Sequence, residues 1–295
     1  PCPVSSAVMD TEELTSLLMT TGFGGADAVP IRGGWASWTF DVGGEYILRV
    51  ARNDEIAASH RREVRLLPRL AEVVDFGVPL PLRWGVRRGH RFMVYRKLAG
   101  RALKPGDRLE QVVNMLRQLH SFPVPEAAEL LGCGAAARDW QNDYMADWGW
   151  IEDKVLPCLD SGLRDDVSRR YTRQLAGLAE ISPALVHRDL GTEHILSDAN
   201  TNIPGAIIDF ETATVGDPTI DFIGLLITFG PHVTDRLITA YGGETVSWFR
   251  LRFYWWMGAV HAIRYGVDES DAEIVADGVS GLRDRLARLA AIEAG

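Results

Sequence analysis

Cysteine is scarce: the 295 residues contain three, Cys2, Cys133 and Cys158, and no C-x-x-C pair. That excludes a disulfide framework and a zinc site of the usual ligand spacing. Long apolar runs are missing as well. The longest largely apolar stretch, Phe222 to Phe229, falls far short of the ~20 residues a membrane-spanning helix needs. Positive charge is in deficit, with 31 Lys+Arg against 40 Asp+Glu and a formal net charge of −9. A general nucleic-acid binder carries the opposite balance, because it must displace counterions from phosphates. There is no internal repeat and no low-complexity tract. Three common catalytic signatures are absent: the G-x-x-x-x-G-K-[ST] phosphate loop, the G-x-S-x-G elbow and the H-E-x-x-H helix. The first residues offer neither a basic n-region nor an apolar h-region, so the expectation is a reduced, cytoplasmic protein with no membrane or nucleic-acid partner.

What is present fits a globular chain: 46% apolar and 24% charged residues, enough to bury a sizeable core. The length suits one large domain or two lobes. Asp10 to Met19 has helical spacing, with Asp10 or Thr11 as N-cap. Trp38, Phe40 and Val42 alternate with polar residues, Gly43-Gly44 supplies a turn, and Tyr46 to Val50 follows, which predicts a β-hairpin. Residues 55–67 read as a helix that Pro68 kinks or stops, and Arg91 to Leu98 as a strand. Beyond it the period is helical, at 107–119, 163–180, 232–241 and 247–264. Two short β-like pieces interrupt it, His194 to Leu196 and Ala206 to Asp209. The expected class is therefore α+β, a small β-rich lobe over residues 1–98 and a larger helical lobe over 99–295.

The richest chemistry lies in Leu185-Val-His187-Arg188-Asp189-Leu190-Gly-Thr-Glu-His194-Ile-Leu196 and Ile207-Ile208-Asp209-Phe210-Glu211. The first resembles the catalytic loop H-R-D-L-x-x-x-N of the kinase superfamily, with D-F-G some distance on. His194 stands where that pattern has Asn, and Glu211 where protein kinases have Gly. The continuation to Gly216-Asp217-Pro218-Thr-Ile-Asp221-Phe222 is similar to a segment of the aminoglycoside phosphotransferases and their macrolide and tuberactinomycin relatives. No activation segment ending in A-P-E is present. The resemblance implies a bilobal protein-kinase-like fold and transfer of a γ-phosphoryl group from ATP or GTP with Mg²⁺. Asp189 would orient and deprotonate the attacking hydroxyl, and Asp209 with His194 would serve the metal. Arg49 stands in the place of the phosphate-binding Lys, with Glu63 on the next helix as its candidate partner or, alternatively, in a surface pair. Gly33-Gly34-Trp-Ala-Ser37 would cover the phosphates, Ser37 donating its hydroxyl, unless the glycines serve only a turn.

On the acceptor side, Asp235, Asp268 and Glu269 are the candidate anchors for a cationic antibiotic, while the neighbouring tryptophans suit a core or a wider apolar pocket. The acidic run from Asp268 also fits a solvated helix start. The expected activity is antibiotic phosphorylation by a monomer or weak dimer. The alternatives are a macrolide kinase, a metabolic small-molecule kinase of the same superfamily, or a pseudokinase-like binding module.

Overall fold

The computed structural model describes residues 9–31, 37–242 and 245–294. The chain opens with α1 (Thr11–Thr21), β1 (Ala28–Ile31), β2 (Ser37–Val42), β3 (Tyr46–Ala51), α2 (Asp54–Ala71), β4 (Pro81–Arg87) and β5 (His90–Arg96). It continues with β6 (Arg101–Ala102), α3 (Leu109–His120), α4 (Val124–Leu131), α5 (Ala137–Trp150), α6 (Ser161–Leu178), β7 (Ala184–Val186), β8 (Ile195–Ser197) and β9 (Pro204–Ile207). The last elements are β10 (Thr214–Gly216), α7 (Ile223–Tyr241), α8 (Trp248–Asp268) and α9 (Ala272–Ala294). Strands thus dominate the N-terminal region and helices the C-terminal one. No described helix is long and apolar enough to cross a membrane.

The described residues fall into two compact units. The first comprises Ser6–Cys133 with His187–Thr214, the second Gly134–Val186 with Val215–Gly295. The strand-rich stretch ends with β5 at Arg96, whereas the unit that holds it runs on to Cys133 and takes in the segment from His187.

In the first unit, five antiparallel strands are ordered β1-β2-β3-β5-β4. The β2–β3 turn places both Gly43 (φ 61°) and Gly44 (φ 74°) in left-handed backbone, as a two-residue hairpin turn of matching twist demands. Alternation on β3 and β5 sorts side chains between two faces. Leu48, Val50, Phe92 and Val94 join Leu17 and Leu18 of α1 in one apolar cluster, and Ile47, Met93 and Tyr95 pack with Val64 of α2 in another. Arg49 pairs in register with Met93 and so emerges on the α2 face. Asn53 caps α2 by accepting from Ile56 N–H at 2.9 Å. The helix does not stop at Pro68 but runs to Ala71. Pro68 sits in the last turn, so its missing N–H costs the helix one bond near an end that already frays. Strands β6, β8 and β9 form a second small sheet, in which β8 begins directly after His194 and β9 ends two residues before Asp209.

The second unit is helical around a core of Trp140, Tyr144, Tyr171, Phe253, Trp256 and their aliphatic neighbours. The tryptophans of this region therefore serve mainly as core. Gly216 is required there: a Cβ would lie 2.4 Å from the Trp140 ring. Asp217, fully buried, accepts from Arg250 Nε at 2.6 Å, Tyr254 Oη at 2.9 Å and the N–H of Thr219 at 3.0 Å. Trp140 Nε1 in turn donates to Tyr254 Oη at 2.9 Å. The G-D-P-x-x-D signature is thus, at Gly216 and Asp217, a packing and anchoring device.

Candidate active site

The first unit gathers the chemically loaded residues around Arg49. Its Nη1 donates to both oxygens of Glu63, at 3.1 and 3.0 Å, and its Nη2 donates to Glu211. Asp209 Oδ1 lies 3.3 Å from Nη2 as an ion pair, yet it is buried and accepts no hydrogen bond. One guanidinium therefore faces three carboxylates. Arg49 and Glu63 are almost fully buried, at 5% and 1% exposure. Desolvation alone would lower the Arg49 pKa, but Glu63, Asp209 and Glu211 together raise it, so the guanidinium stays charged. Burial pushes Glu63 up to about 7, against the pull of Arg49 and with a further push from Asp209 and Glu211. Glu211 is raised for the same first reason, burial.

Two histidines fix the backbone that carries Asp189 and Asp209. His187 Nε2 donates to the Ile208 carbonyl at 2.9 Å, and Thr212 Oγ1 donates to the His187 carbonyl at 3.0 Å. His194 Nδ1 donates to the Asp189 carbonyl at 2.7 Å. Its Nε2 lies 3.7 Å from Asp209 Oδ2. Asp189 itself is exposed. Arg188 (φ 72°) and Asp209 (φ 66°) both hold left-handed backbone, a strain of ~1–3 kcal/mol each that concentrates at functional segments.

Ser37 is buried at the start of β2, and its hydroxyl lies 3.0 Å from His60 Nε2 on α2. The rest of the expected phosphate-covering loop, including Gly33 and Gly34, lies outside the described residues. His60 is pushed down to about 3 by burial and by the nearby Arg49 and Arg91, so it is neutral at physiological pH, and its Nδ1 has no hydrogen-bond partner. Arg49, Glu63, His194, Asp209, Asp189 and Ser37 thus all belong to the first unit. The acceptor candidates Asp235, Asp268 and Glu269 belong to the second. Asp235 accepts from Trp248 Nε1 at 2.8 Å, and Asp268 is ion-paired with Lys154 and with Arg264 at 3.5 Å.

Glu211 and His60 were not among the residues expected here. The signal for Glu211 was a glutamate in place of glycine combined with an arginine in place of lysine. A planar guanidinium engages carboxylates in several directions, which an ammonium point charge does less well. His60 carried only its spacing, one turn before Glu63.

The chain matches, over residues 27–254, the family described as the phosphotransferase enzyme family, APH, and belongs to it. It is accordingly a small-molecule kinase by family. A viomycin phosphotransferase from Streptomyces vinaceus is 26% identical over 263 residues, covering 82% of this chain and 88% of that protein. A solved GDP complex of wild-type aminoglycoside 2'-phosphotransferase-IIIa superposes with a TM-score of 0.84 at 23% identity, covering 95% of this chain and 99% of that one. A macrolide 2'-phosphotransferase type I superposes at 0.70 with 22% identity, covering 94% and 98%. These likenesses establish the kinase-like α+β fold.

Proposed function

We propose that this chain moves the γ-phosphoryl group of ATP or GTP to a hydroxyl of a cationic antibiotic, an aminoglycoside or a basic peptide of the viomycin type, and so confers resistance. The observation that carries the reading is Arg49 held between Glu63 and Glu211, with Asp209 beside it and His194 tying that cluster to the Asp189 loop. The relatives' names support the acceptor class and the nucleotide donor.

Residues 1–98 serve as the nucleotide-binding lobe and residues 99–295 as the catalytic and acceptor-binding lobe. Arg49, positioned by Glu63, meets the donor phosphates, and Ser37 stands at the foot of the loop that covers them. Asp189 takes the proton of the acceptor hydroxyl as its oxygen attacks the γ-phosphorus and the bond to the nucleoside diphosphate breaks. No covalent enzyme intermediate is needed, because positioning and charge neutralisation supply the catalysis.

The donor set fits a magnesium ion. Three carboxylates outnumber one guanidinium, a buried oxygen of Asp209 has no hydrogen bond, and His194 Nε2 lies 3.7 Å from the other oxygen. Asp209, with His194 directly or through water, would hold the ion, which supplies charge neutralisation on the phosphates. Among the acceptor candidates, Glu269 forms no ion pair with described residues. Asp268 and Asp235 would exchange their present donors for substrate ammonium groups.

The test is expression in a susceptible bacterium, with inhibitory concentrations measured across aminoglycosides, tuberactinomycins and macrolides. Purified protein should also consume nucleotide in a magnesium-dependent way only when the protecting drug is present. Protection against a cationic drug that vanishes in Asp189→Ala is the expected result. No protection by any drug would transfer the reading to a metabolic acceptor.

A further inference from the structure

Among the described strands, β4 is the outer edge of the five-stranded sheet and pairs on one side, with β5. It exposes three large apolar side chains, Leu82 (51%), Trp84 (53%) and Val86 (46%). Proteins ordinarily shield such an edge, and contiguous exposed apolar surface marks an interaction site. Trp84 pairs with Met93 and Val86 with Arg91, so both lie on the face that α2 covers. Between that strand and α2 runs a groove of about 410 Å³, lined by Arg61, Arg62, Arg65, Arg91, Trp84 and Leu131.

None of the four arginines makes a hydrogen bond or ion pair with a described residue. Arg62 has long-range company from Glu211, and Arg91 is lowered by burial and by the adjacent charge of Arg61. Like charges are therefore held together with only the distant Glu211 acting on one of them, in a chain whose net charge is −9. The overall balance works against such a cluster, and a ligand of opposite charge would relieve it.

We propose that the groove between α2 and β4 docks an acidic, extended peptide segment of a partner protein. Its carboxylates would meet Arg61, Arg62, Arg65 and Arg91, its apolar side chains would cover Trp84 and Val86, and its main chain would pair with the open edge of β4. A second copy docking through the same face would set arginine against arginine, which disfavours a two-fold pairing. A nucleic acid would satisfy the arginines but leave Leu82 and Val86 uncovered, and it would find a single stacking platform in Trp84.

The experiment is fluorescence anisotropy of a short labelled peptide that alternates glutamate with leucine, titrated with the full chain at low salt. A lysine–leucine peptide and a single-stranded RNA oligonucleotide are the controls. Saturable binding of the glutamate peptide is expected, weakened at least about tenfold by R61E/R65E and by W84A, and weakened by added salt. Insertion of proline at alternate peptide positions should abolish it, because proline cannot donate to the strand edge. Unaltered thermal melting of both variants would show that the fold survives. The proposal is overturned if the glutamate peptide fails to bind, if it binds R61E/R65E equally well, if the lysine peptide binds as tightly, or if only the RNA binds.

Discussion

Asp189 is exposed and Glu63 is buried, and that difference separates what each contributes at the level of single residues. On the proposed reading, replacing Asp189 by Ala removes a proton acceptor, and at an exposed position it does so without opening the core. The expected result is a loss of kcat by ~10²–10⁴, typical of general-base removal. Its melting temperature should be unchanged, because substitutions at exposed sites stay within about ±0.5 kcal/mol. Steady-state kinetics beside a thermal melt check both. Glu63 behaves differently. Its folded-state value, about 7, lies above the ordinary 4.5, so the folded protein takes up a proton as pH falls through that window. This group's contribution to stability is complete below pH 4.5 and is lost as pH rises through 7. Activity should run the other way, because a protonated Glu63 no longer holds Arg49 by charge. A pH profile of kcat/KM should fall on the acid side with a midpoint near 7, while the melting temperature does not fall over the same range. Glu63→Gln should lower kcat/KM and remove that acid limb, and a limb that persists in the variant would assign it to another group.

Elements hold these residues by means that local sequence only partly reveals. Helix α2 turns Arg61, Arg65 and the half-buried Arg62 to one side and buries Ser59, His60 and Glu63 on another, so a single helix serves two faces. Strand β4 was not anticipated, since its apolar residues are interleaved with arginines and glycine and stay exposed instead of joining the core. In the second unit, α8 is tied through Arg250 and Tyr254 to the turn that begins at Asp217. Truncation to Ala there takes the carboxylate from the half-buried Arg250 guanidinium, which keeps only neutral acceptors, and the acceptor from the buried Tyr254 phenol. Asp217→Ala should therefore cost ~3–5 kcal/mol in chemical denaturation, as expected for breaking a buried charged pair. Asp217→Asn, which keeps hydrogen-bonding capacity, should cost less. Equal costs would mean that packing rather than charge holds the turn.

At the scale of the whole molecule, the net charge of −9 acts on whatever approaches. A polycationic acceptor should bind more weakly as salt screens that field. Its KM should rise severalfold between about 0.05 and about 0.5 M monovalent salt, as the Debye length shrinks from roughly 14 Å to roughly 4 Å. An anionic nucleotide should show no such rise from the field of the whole molecule, and a matching rise for both substrates would sink the charge argument. Much of the organisation was already legible along the chain. The hairpin at Gly43-Gly44, the α+β order and the run from His187 to Phe222 are encoded by neighbours a few residues apart, where periodicity and motif spacing act. The pairing of Arg49 with Glu211, 162 positions away, was not legible, nor was the contact of Ser37 with His60. The structural duty of Asp217 was equally hidden, because a motif records which residues occur and not what they touch. Sequence alone therefore determined the family motifs, the candidate residue types within them and most of the elements that carry them. Tertiary structure decided which carboxylates share one guanidinium, because the partner and charge state of a buried side chain depend on the surfaces that fold against it and exclude water.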